Sequence, residues 1–90
     1  MKVFYIDLTG LDSKQELRDY LAAKLPLPDY CGSALDSYYD VLTEFGADWD
    51  IIFYNVSKIH GRMDSYVEKF QKMCRDAAAG TPGLRIRFYP

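Results

Sequence analysis

Apolar positions along the chain fall into three strand-like runs and three helix-like stretches. Residues 2–8, KVFYIDL, are rich in β-branched and aromatic side chains and end in the turn signal Thr9-Gly10, so they predict a strand. Apolar residues occupy both of its faces, the pattern of a central strand in a parallel sheet. Asp12 is placed to cap a helix, with Gln15 at the capping-box position, and Leu17, Leu21 and Leu25 recur every four residues. Pro26 and Pro28 end that helix near Leu25, because each disfavours helix in the residue before it, and residues 26–29 then run extended.

Gly32 permits a turn and Ser33 is a good N-cap, with Asp36 three residues on, so a second helix is expected from about Ala34. At 100° per residue Leu35, Tyr38, Leu42 and Phe45 form one apolar stripe, flanked by Val41. Gly46 breaks the period, and residues 49–54, WDIIFY, predict a second strand. Residues 55–62 read as a connection. A longer helix follows over residues 64–79 with Val67, Phe70, Cys74 and Ala77 or Ala78 inward, stopped by Gly80 and Pro82. Leu84, Ile86 and Phe88 then alternate with Arg85, Arg87 and Tyr89, the period-two signature of a third strand open to water on one side. Strands alternating with helices predict an α/β fold with a small three-stranded parallel sheet and packed helices, residues 1–90 forming a single domain.

The polar side of the second helix is anomalous. Asp36, Asp40 and Glu44 stand at i, i+4 and i+8, where each like-charge pair costs about 0.2–0.5 kcal/mol. No lysine or arginine lies between Lys24 and Lys58 to offset them. The helix dipole favours Asp36 in the first turn but opposes Glu44 in the last. Folding gains nothing from Asp40 and Glu44, which points to a cationic partner rather than to a merely solvated face. Tyr30 and Tyr39 can flank the stripe with the rigid aromatic rings common at binding hot spots.

Composition narrows the classes. A net charge of −2 argues against general binding to nucleic acid or anionic membrane, and an acidic stripe repels phosphate. No run reads as a signal peptide or reaches membrane-spanning length. The two cysteines, Cys31 and Cys74, lack metal-ligand spacing and predict free thiols in a reducing cytoplasm. His60, the single histidine, has no nucleophile or metal-ligating companion and reads as a surface residue. No catalytic residue, cofactor or metal site is expected. Asp36 and Asp40 on a convex helix have nothing to exclude water or to separate their pKa values.

Residues 25–45, LPLPDYCGSALDSYYDVLTEF, resemble the corresponding stretch of the barstar family of intracellular ribonuclease inhibitors. Leu25, Leu27, Pro28, Tyr30, Gly32, Leu35, Asp36, Asp40, Leu42 and Thr43 match its pattern without a gap, and the element order extends the resemblance over nearly the whole chain. The resemblance implies an immunity-type inhibitor, a monomer that plugs the active site of a basic extracellular-type ribonuclease in a one-to-one complex. It implies partner contacts at Tyr30, Asp36, Asp40 and Thr43, with Asp40 at the dominant position and Asp76 at a peripheral one. Gly32, Tyr39 and Glu44 complete the expected binding set. The pattern departs at Cys31 and Tyr39, where the family has tyrosine and tryptophan, and at Ala34 and Glu44, where it has asparagine and usually glycine. The rival expectation is a non-inhibitory adaptor of the same fold that docks a different cationic protein.

Overall fold

The computed structural model describes residues 1–90. Three strands, β1 (Lys2–Asp7), β2 (Trp49–Tyr54) and β3 (Arg85–Phe88), form one parallel sheet in the order β1-β2-β3. Three helices, α1 (Lys14–Lys24), α2 (Leu35–Phe45) and α3 (Asp64–Gly80), complete the expected α/β architecture. The chain order is β1-α1-α2-β2-α3-β3, with short 3-10 turns on either side of β2 and before α3. No helix is long and apolar enough to cross a membrane.

β1 is an edge strand, not the central one its composition suggested. Phe4 and Ile6 lie in register with Ile51 and Phe53 on the face that packs under the helices. Val3 and Tyr5 point the other way and stay exposed, because no element covers the second face of the sheet. On that open face Arg87 bridges β3 to β2 through a 2.8 Å ion pair with Asp50, which is itself buried. The hydrogen bond from Arg87 to Asp50 raises the guanidinium pKa further.

Twenty buried residues form one apolar cluster to which all three helices contribute, with Ile86 and Phe88 of β3 packed against it. Phe70 of α3 is its hub. Its ring meets Tyr38 of α2, Phe53 of β2 and Phe88 of β3 edge-on, at 5.8, 5.5 and 6.4 Å between centroids. Such edge-to-face pairs add about 0.5–1.5 kcal/mol each beyond area burial. Met63 and Met73 also turn inward, filling space beside the helical periodicity read from Val67, Phe70 and Cys74.

Two caps differ from the sequence reading. Ser13, not Asp12, caps α1: its hydroxyl accepts from the Glu16 amide at 3.1 Å, and the Glu16 carboxylate accepts from the Asp12 amide at 3.0 Å. Ser33 caps nothing. Ala34 occupies the cap position of α2, with no side-chain hydrogen bond to the first turn. The close approach of the turn after α2 to the start of β3 depends on Gly83, whose φ of +91° suits glycine; a Cβ there would strike the Ala47 carbonyl.

Both thiols are buried, and burial pushes their pKa values up, with Arg18 opposing this at Cys31 and Arg75 at Cys74. Native protein at neutral pH is therefore expected to resist a disulfide-exchange reagent such as dithionitrobenzoate, and to release both thiols once urea unfolds it. Immediate reaction of one thiol in native protein would instead show that the loop carrying Cys31 opens readily.

Candidate partner-binding face

The loop before α2 is held by backbone and side-chain bonds from two other helices. Leu25 closes α1 by donating its amide N–H to the Leu21 carbonyl at 2.7 Å, and the Cys31 amide donates to the Pro28 carbonyl at 3.0 Å. Arg18 of α1 donates to the Cys31 carbonyl at 2.8 Å, and the Tyr66 hydroxyl of α3 donates to the Ser33 carbonyl at 3.2 Å. Cys31 points into the core, and Leu27 packs partly against it. Tyr30 is thereby left outward at 71% exposure, on a loop anchored from beneath.

Hydrophobic docking fixes the orientation of α2. Tyr38, Val41 and Leu42 are buried, Leu35 is half-buried, and Phe45, expected in the stripe, is exposed because the helix ends there and turns away. Burying three such side chains stabilises the docked helix by about 1.5–3 kcal/mol each, more than enough to offset repulsion among its carboxylates. The remaining surface is the acidic one. Asp36, Tyr39, Asp40 and Glu44 are exposed, and no basic side chain lies in the last turn. None of the three carboxylates forms an ion pair or an internal hydrogen bond. Thr43 is half-buried and donates back to the Tyr39 carbonyl at 2.9 Å and the Asp40 carbonyl at 3.2 Å, leaving its oxygen able to accept.

Gly32 is exposed on the loop next to these residues, and its backbone does not use the positive φ that would demand glycine. Asp76, distant in sequence, is carried by α3 to a furrow that it shares with Asp36 and Tyr39. Its carboxylate is engaged there by Lys72 at 3.0 Å. The sequence reading missed Lys69 and Lys72, which line the same furrow. Lys69, Lys72 and Asp76 follow i, i+3, i+7 spacing beside the inward Phe70 and Met73, so the helical wheel puts them on one side of α3 but does not place that side next to Asp36. Elsewhere, His60 lies on the surface, its Nδ1 accepting from the Arg62 amide at 3.3 Å while Arg62 pairs with Asp12 at 2.8 Å.

The structure thus sets an exposed acidic helix and an anchored aromatic loop side by side on a one-sided parallel sheet. A family model described as Barstar (barnase inhibitor) matches residues 1–89, and the chain belongs to that family. The family so described is one of inhibitors, not enzymes. No curated protein matches the chain in sequence.

Proposed function

We propose that this chain is a cytoplasmic, immunity-type inhibitor of a basic ribonuclease, bound one to one, and that it blocks the active site with α2 and the loop before it. The observation that carries this reading is the row of three exposed carboxylates without an internal partner on a helix whose other side is firmly docked. A ribonuclease active site gathers cations to hold RNA phosphates. Carboxylates presented on a rigid helix can occupy those phosphate positions. In this reading Asp40 sits centrally, Asp36 and Glu44 lie one turn to either side, and Tyr30, Gly32, Tyr39 and Thr43 surround them. Asp76 contributes at the periphery, its charge already shared with Lys72. RNA itself is not a ligand of this face.

Capture from cells that carry the neighbouring genes, with this chain as bait, tests the reading. Recovery of a small basic nuclease supports inhibition, and recovery of non-nucleases alone supports the adaptor. The rate of association supplies a second check. Steering by the acidic face makes association fast at low ionic strength and much slower as salt shortens the Debye length to about 8 Å, with dissociation changing far less. Stopped-flow mixing over a salt series is expected to show that split, and an association rate indifferent to salt contradicts steering.

A further inference from the structure

The acidic face does not end at α2. The furrow between α2 and α3 comprises two hollows that share Leu35, Asp36 and Lys69, lined by Asp36 and Tyr39 from α2 and by Tyr66, Lys69, Lys72 and Asp76 from α3. The cations in it differ in state. Lys72 is neutralised by Asp76 at 3.0 Å, and Lys14, at the mouth, lies 5.1 Å from the centroid of the Tyr66 ring. Lys69 makes no ion pair, even with Asp36, which lines the same furrow. The furrow therefore presents Asp36 and Lys69 with neither in an ion pair, while Lys14, also without a carboxylate partner, rests near the Tyr66 ring.

Because Asp36 and Lys69 line the same hollows, a partner that seats on Asp36 and reaches across to α3 takes water from Lys69. An ammonium group desolvated without a counter-charge is strongly unfavourable, whereas one that meets a carboxylate contributes to affinity and fixes register. We infer that Lys69 is a specificity-determining residue that meets an Asp or Glu carboxylate on the ribonuclease, next to the cations that meet Asp36 and Asp40. This rests on the inhibitor reading above and adds to it a charge pattern for the partner: a basic centre with an acidic side chain on the rim facing α3. Ribonucleases that are cationic all round that rim are discriminated against, which is selection by repulsion as well as attraction.

The sign of one substitution separates this from a general field effect. If Lys69 only weakens the acidic field, Lys69→Glu strengthens binding to a basic partner. If it meets a carboxylate, Lys69→Glu weakens binding more than Lys69→Met does. The experiment uses the ribonuclease recovered by capture, purified and rebound to wild-type chain and to the Met, Glu, Arg and Asp40→Ala variants, with dissociation followed at physiological salt. Lys69→Met is expected to speed dissociation roughly tenfold, Lys69→Glu further still, and Lys69→Arg little. Because Lys69 is exposed, urea midpoints of its variants should match wild type. Unchanged dissociation in Lys69→Met, or tighter binding in Lys69→Glu, overturns the assignment. If Asp40→Ala still weakens the complex, only the role of Lys69 fails; if Asp40→Ala binds like wild type, the inhibitor reading itself fails.

Discussion

Replacing Asp40 by alanine is expected to move binding and folding in opposite directions. In the free chain Asp40 is exposed and its carboxylate has no partner, one turn from both Asp36 and Glu44. Its removal relieves two repulsions and introduces the best helix former, so stability should rise by about 0.5–1 kcal/mol. In the complex the same change deletes a carboxylate seated among cations and leaves those cations unpaired, a loss of about 2–5 kcal/mol. Urea unfolding of the variant, beside its affinity for the ribonuclease, measures both. A destabilised free chain with unchanged binding would make Asp40 a structural residue.

Phe70→Ala is expected to have the largest effect on folding. The ring is 3% exposed and joins α2, α3, β2 and β3 through Tyr38, Phe53 and Phe88. Deleting a buried phenylalanine of this kind costs about 3–5 kcal/mol. A domain of this length is stable by only about 5–13 kcal/mol, so the loss is a large part of the total. The proposed binding face suffers too, since Tyr38 rests on Phe70 and the carboxylates lie on the far side of α2. A urea midpoint shift worth less than about 1 kcal/mol would show that α2 is seated by something other than this aromatic junction.

Where one periodicity dominates, the sequence was enough. Leu17 and Leu21 placed α1, residues 49–54 placed β2, and Tyr38, Val41 and Leu42 placed the buried side of α2. The alternation of Ile86 and Phe88 with Arg85 and Arg87 identified β3, whose second face is indeed uncovered. The errors arose where tertiary contacts decide. β1 has apolar residues on both faces, yet Val3 and Tyr5 are exposed, since composition cannot say whether a second layer exists. Ser33 was a reasonable cap, but Tyr66 and Arg18 bind the loop carbonyls and the chain enters α2 one residue later, at Ala34. The acidic stripe was legible from spacing alone. Its neighbours Lys69 and Lys72 were not, because only the packing of α3 beside α2 brings them near Asp36.

The most direct measurement is a titration of RNA cleavage. Purified ribonuclease from the capture experiment, held at a fixed concentration well above the dissociation constant, is assayed on RNA with rising amounts of this chain. Activity is expected to fall linearly to zero at one equivalent, and Asp40→Ala should need a large excess to do the same. A saturated complex that still cleaves RNA at the full rate would contradict the account, because binding would then leave the active site open.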